Sequence, residues 1–284
     1  MRDPQKQIKR RKDEYRPKPI VMAVYWVLRF IVIVSLVLSC IRKDYESAWV
    51  CVLVLVLYML PRIVQQNFHI ELPSALEIII LVLIFAGEIL GELRSYFIYF
   101  PHWDTLLHTT SGFVSAAFGY SMVDLLNRNK PQHIQLSPIY LALVSFCFSM
   151  TVGVIWEFFE FGMDNFFHMD MQKDTVIHAF SSVNLDPTAS NIPVRVEDIT
   201  DVAVNGTSLG LGGYLDIGLY DTMEDLFVNF IGALTFSVIG YFSAKSGKNS
   251  IAKNFVPVVV PEEAPESEAG QTNTTEDTTE KNTD

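Results

Sequence analysis

Asp104 and His108 stand four residues apart, as do Glu88 and Glu92, and Asp221, Asp225 and Asn229 repeat the same interval. Glu157, Glu160 and Asp164 are spaced by three and four. Residues three or four apart share one face of a helix, so each set would present its donors together. Carboxylates with a single imidazole suit divalent cations: Mg, Mn or Ca for oxygen-rich ligation, and zinc where histidine joins the carboxylates. A metal held there would activate water with a carboxylate as base, which makes Glu157 and Glu160 the catalytic candidates. The best members of such a site are Asp104, His108, Glu157, Glu160, Asp221 and Asp225, with Asp164, Asn229, Glu88 and Glu92 behind them.

The elements that must position these residues are apolar runs. Half of the 284 residues are hydrophobic and only 19% are charged, against about 25% charged in soluble domains. Six runs reach the length of a bilayer core: about 20–40, 48–64, 74–99, 103–126, 137–167 and 217–244. Arg29 interrupts the first, as a snorkelling residue or a partner for an acid on a neighbouring helix. Pro61 and Arg62 close the second. Ser137 and Pro138 read as N-cap and first helical residue of the fifth.

Lysine and arginine set the expected orientation. With the N-terminus cytoplasmic, fourteen flank the cytoplasmic ends of the spans and five (Arg42, Lys43, Arg94, Lys173 and Arg195) the outer ends. Both termini are then inside and the polar loop 168–216 outside. The ends of spans three and five and the starts of spans four and six fall at one level near the outer face. A carboxylate deep in a bilayer costs on the order of 2.5–3.5 kcal/mol at the centre, and less near an interface. Acids at one level must therefore pair, bind a cation, share protons or face water. One outward pocket built by spans four, five and six is the sharper expectation. The blander one leaves the acids solvated, or paired with Arg94 and helix N-termini.

The ends of the chain differ in sign. Residues 1–18 carry a net charge of +5, residues 261–284 carry −7, and the whole is −11. A nucleic-acid binder would show a basic face on a folded domain, and here the middle is acidic. The segment 1–19 is expected to be a basic cytoplasmic head, 20–245 the membrane domain, and 246–284 a disordered acidic cytoplasmic tail. Asn205-Gly206 between β-branched residues predicts a small β-hairpin in the outer loop. Cys40, Cys51 and Cys147 form neither a disulfide framework nor a thiolate metal motif. Trp156, Tyr99 and Tyr220 read as an interfacial aromatic belt. Motifs for a nucleophile elbow, a zincin or a P-loop are absent from the sequence.

Three motifs in order carry a likeness: Asp104-x-x-x-His108-x-x-x-Gly112-Phe113, then Trp156-Glu157-x-x-Glu160, then Asp221-Thr222-x-x-Asp225-Leu226 with Asn229 and Gly232-Ala233. They resemble the YjdF-type bacterial inner-membrane proteins over about residues 70–245 and, more loosely, VanZ-like membrane proteins. The resemblance implies a multi-pass bacterial membrane protein and names no substrate. The expected fold is all-α: a six-helix transmembrane bundle with a small extracytoplasmic loop subdomain. Three functions remain open. One is a membrane protein whose pocket binds a cation or lipid headgroup. Another is a metal-dependent hydrolase of a phospholipid or polyprenyl-linked substrate at the outer leaflet. The third is a transporter, for which no inverted repeat or pair of broken helices is visible.

Overall fold

A computed structural model describes residues 19–68, 70–128, 136–246 and 258–259. The basic head and nearly all of the acidic tail lie outside the described residues. Helices α1 (Pro19–Arg42), α2 (Tyr45–Leu57) and α3 (Leu60–Phe68) lead to a short strand β1 (Ile70–Glu71). Helix α4 (Ser74–Ile84) then runs on as a π-helical segment (Phe85–Leu93), followed by a single turn, α5 (Tyr96–Tyr99). The long helices α6 (Trp103–Arg128), α7 (Pro138–Phe167) and α8 (Leu219–Ser246) complete the bundle.

Among the described residues, five stretches are long and apolar enough to cross a membrane: Pro19–Arg42, Tyr45–Asn67, Ser74–Leu93, Pro138–Phe167 and Leu219–Ser246. Helix α6, with 26 residues, has the length but not the composition. Its apolar residues are diluted by Asp, His, Thr, Ser and Gly. The packing supplies the reason: α6 lies against both α7 and α8, and buries Leu107, Val114, Ala116, Ala117 and Tyr120. A helix enclosed by other helices does not need an apolar surface on every side.

Two boundaries differ from expectation. The run 74–99 is interrupted at Arg94–Ser95, where Ser95 takes a left-handed conformation with φ of 58°. The run 48–64 does not end at Pro61. The chain breaks at Tyr58–Met59, and Pro61 sits in the first turn of α3, where the missing N–H of a proline has no helical partner to lose. Helix α7 starts as its sequence predicts, with the Ser137 hydroxyl accepting from the Tyr140 N–H at 3.3 Å and Pro138 in the first turn.

Apolar burial forms three centres. Val32, Cys51, Val54, Tyr58, Leu81 and Ile89 join α1, α2 and the α4–π helix. Ala116, Ala117, Tyr120, Leu141, Ala233 and Phe236 join α6, α7 and α8. Ile70, Leu72, Leu76 and Val114 bridge the two halves. Large apolar side chains such as Trp26, Phe30, Phe158, Phe166 and Phe227 point outward, the arrangement that lipid favours.

Between α7 and α8 the chain forms short antiparallel ladders. Strand β2 (Val176–Ile177) pairs with β7 (Tyr214–Leu215) at the root of the loop, and β3 (Phe180–Ser182) pairs with β4 (Val194–Val196). Strands β5 (Ala203–Val204) and β6 (Thr207–Ser208) flank Asn205 and Gly206. Both of these turn residues have positive φ, 52° and 80°, as a tight hairpin turn requires. Strand β8 (Val258–Val259) returns to pair with β1.

Candidate functional site

Small residues set how α6, α7 and α8 meet. A Cβ on Gly232 would collide with the Thr109 carbonyl, so α8 crosses α6 at backbone contact there. Gly112 and Gly153 leave the space that Asn229 fills; a Cβ at Gly153 would stand 2.7 Å from Asn229 Nδ2. Hydroxyls tie α7 to α6: Ser149 Oγ donates to the Gly112 carbonyl at 2.7 Å, and Ser145 Oγ to that of Ala116 at 2.6 Å. These contacts level the first turns of α6 and α8 with the late turns of α7.

Four carboxylates and one imidazole converge at that level. His108 Nε2 lies 3.4 Å from Asp104 Oδ1 and 3.6 Å from Asp225 Oδ2. On its other side, His108 Nδ1 lies 4.0 Å from Glu157 Oε1. Two groups of three donors fall within 4.8 Å of one another: Asp104, His108 and Asp225, and Glu157, Glu160 and Asp225. Asp225, Glu157 and Glu160 are buried, at 3%, 4% and 7% exposure. Trp156 Nε1 donates to Glu160 Oε1 at 2.8 Å. Glu157 has the Thr222 side chain as its hydrogen-bonding neighbour, and Oε2 of Glu160 is buried without a hydrogen-bond partner. Native proteins pair nearly all such atoms. Among the described residues, no lysine or arginine forms an ion pair with any of the four acids.

The remaining sequence candidates serve other contacts. Asp221 accepts the Lys173 backbone N–H at 2.8 Å and lies outside both donor groups. Asp164 accepts from the backbone N–H groups of Met171 and Gln172 at 2.6 and 2.9 Å. Asn229 sits one turn deeper than Asp225, its Nδ2 3.5 Å from Met150 Sδ, as helix packing. Glu92 takes the Lys173 ammonium at 3.3 Å. Glu88 is buried in the π-helical segment with Oε2 unpartnered, away from both groups. Arg29 bonds to the Tyr25 hydroxyl, one turn along its own helix.

Sequence reasoning missed three residues. Trp156 looks interfacial by type, yet its indole orients Glu160. Lys173 looks like an ordinary loop charge, yet it links the π-helical segment to the start of α8. Asp216 accepts the Thr175 N–H at 2.6 Å and the Tyr220 N–H at 2.7 Å, so it ties the loop to α8. The signal for Trp156 was its i, i+4 spacing to Glu160. For Lys173 and Asp216 the partners are distant in sequence, and no local signal exists.

A family model described as "Predicted membrane protein (DUF2238)" matches residues 24–246. No curated protein and no solved structure matches the chain. The family match agrees with the coarser part of the motif resemblance, a membrane-protein family. The YjdF-type and VanZ-like likenesses rest on the motifs alone.

Proposed function

The chain belongs to this family of predicted membrane proteins, and from that premise we propose that it binds a divalent cation where α6, α7 and α8 meet. One observation carries the reading: Glu160 is 7% exposed and its Oε2 has no hydrogen-bond partner, although it faces the likewise buried carboxylates of Glu157 and Asp225. An unpaired buried charge is costly, and a cation among Glu157, Glu160 and Asp225 removes that cost. Helix dipoles do not substitute for it. Asp104 lies in the first turn of α6, where the dipole favours an anion, but Glu157 and Glu160 lie in the C-terminal half of α7. Carboxylates with one imidazole suit Mn, Mg or Zn.

In this reading α6 is the fourth of six spans, its polar residues shielded from lipid by α7 and α8. The lysine and arginine bias supports a plasma-membrane protein with both termini cytoplasmic and the cluster near the outer face. The test uses the purified full chain, stripped with a chelator and titrated with Mn2+. Thermal stability should rise with Mn2+, and Glu157→Gln should weaken Mn2+ binding by tenfold or more while remaining folded by circular dichroism. A wild-type chain whose stability and calorimetric trace ignore Mn2+, Mg2+ and Zn2+ would reject the reading.

A further inference from the structure

The geometry points to two divalent cations in this cluster, bridged by Asp225, an inference that rests on the cation-binding reading above. The donors form two triads that share Asp225 alone: Asp104 and His108 from α6 complete one, Glu157 and Glu160 from α7 the other. Asp225 comes from α8 and lies between them, and a carboxylate with two oxygens can serve an ion on each side.

The first triad already has the spacing of a coordination shell. Donors about 2.1 Å from a tetrahedral ion stand roughly 3.4 Å from one another. His108 Nε2 stands 3.4 Å from Asp104 Oδ1 and 3.6 Å from Asp225 Oδ2. One ion there does not resolve the second triad. Glu160 Oε2 would remain buried and unpartnered, and Glu157 faces the imidazole through Nδ1, not through Nε2.

Charge favours more than one ion. When a metal ionises them, the four donors beside a neutral imidazole carry four negative charges, Asp221 adds to the field they feel, and no lysine or arginine among the described residues pairs with the four. The Lys173 ammonium is engaged by Glu92 and the Asp170 carbonyl. One divalent ion would leave two negative charges in a site whose members are mostly buried. A second ion neutralises the four donors themselves, and low-dielectric surroundings make that matter. The two late-α7 glutamates, which neither a helix N-terminus nor a basic side chain compensates, become ligands of the second ion.

The experiment is Mn2+ titration of the metal-stripped full chain in detergent, followed by calorimetry for stoichiometry and electron paramagnetic resonance for coupling. Two Mn2+ per chain are expected, with an exchange-coupled spectrum at saturation. A Glu157→Gln/Glu160→Gln double variant should bind one Mn2+ and give the uncoupled spectrum of an isolated ion. If that variant does not fold, the wild-type stoichiometry and spectrum decide alone. One uncoupled Mn2+ per wild-type chain would overturn the two-ion inference and leave the cation site standing. Two uncoupled ions would overturn the bridge through Asp225. Absence of any binding would overturn the cation reading itself.

Discussion

Glu157 and Asp221 show how the same side-chain chemistry acquires different work. Each sits on a polar helix face at the same end of the bundle. Asp221 meets a loop N–H and becomes a clamp, whereas Glu157 faces other carboxylates and an imidazole. Trp156 belongs to this scale as well. Its indole holds one oxygen of Glu160 and leaves the other free to face the cluster. Groups that orient a metal ligand typically account for 10- to 100-fold in affinity. Trp156→Phe should therefore weaken Mn2+ binding roughly 10-fold without changing stoichiometry or fold. Calorimetry on the variant checks this, and unchanged affinity would remove Trp156 from a positioning role. A second titration lies far from the cluster. Asp186 accepts from the Thr188 hydroxyl, and from the N–H groups of Thr188, Ser190 and Ile192. These bonds, the hydroxyl first, pull its pKa down to about 2 from 3.8. A depressed folded pKa means that the turn's stabilisation is full above the unfolded value and is lost as pH falls through the folded one. The amide signals of Thr188, Ser190 and Ile192 should shift together between roughly pH 4 and 2. Asp186→Asn should abolish that shared step, and a step that survives in the variant would assign it elsewhere.

Elements convert these residues into a level site. Helix α8 is the common wall: Gly232 lets it touch α6, Asn229 fills the gap that Gly112 and Gly153 leave, and Asp225 lies one turn above. Just beyond α7, residues 171–175 are strapped between the end of α7 and the start of α8 by three aspartates. Asp164 holds Met171 and Gln172, Asp221 holds Lys173, and Asp216 holds Thr175 and Tyr220. Hydrogen bonds to charged groups contribute about 1.5–3 kcal/mol each. Asp216→Ala should cost about that much locally. It should appear as faster amide exchange at residues 172–176 and new protease cleavage in the loop, with the exchange of α6 unchanged. Equal loss of protection in α6 would mean that the strap supports the bundle itself. The helical faces of this arrangement were legible in the sequence, because intervals of three and four determine a face before any packing is known. Asp104 with His108, and Glu157 with Glu160, could be paired that way. The strap was not legible, since Asp216 and Thr175 are far apart in sequence and meet only after α7 and α8 pack. The π-helical segment was hidden for a related reason. Phe85–Leu93 is apolar enough for an ordinary helix, and its wider turn carries no compositional mark. Asp221 and Asp164 were legible as acids at the correct level, but not as loop acceptors.

At the scale of the molecule the question is how often the chain crosses the bilayer, and α6 decides it. By composition five stretches among the described residues qualify, and an odd count would place the two sides of α7 opposite to an even one. Three arguments favour six. Helix α6 has 26 residues, which at about 1.5 Å per residue exceeds a hydrocarbon core of about 30 Å. It packs along both α7 and α8, which are themselves long and apolar enough to cross. Arg128 ends this helix and Lys130 follows it, where the positive-inside rule wants the cytoplasm. Six crossings with a cytoplasmic N-terminus place residue 190 outside and residue 132 inside. Five crossings that omit α6 reverse both. Ser190→Cys and Gln132→Cys, each in a chain whose Cys40, Cys51 and Cys147 are replaced by serine, separate the two. Under six spans, a membrane-impermeant maleimide should label residue 190 in intact cells and residue 132 only after permeabilisation. The reverse pattern would remove α6 from the membrane and turn the acid–imidazole cluster toward the cytoplasm. Its donors would stay together, but the ions reaching them would be those of the cell interior.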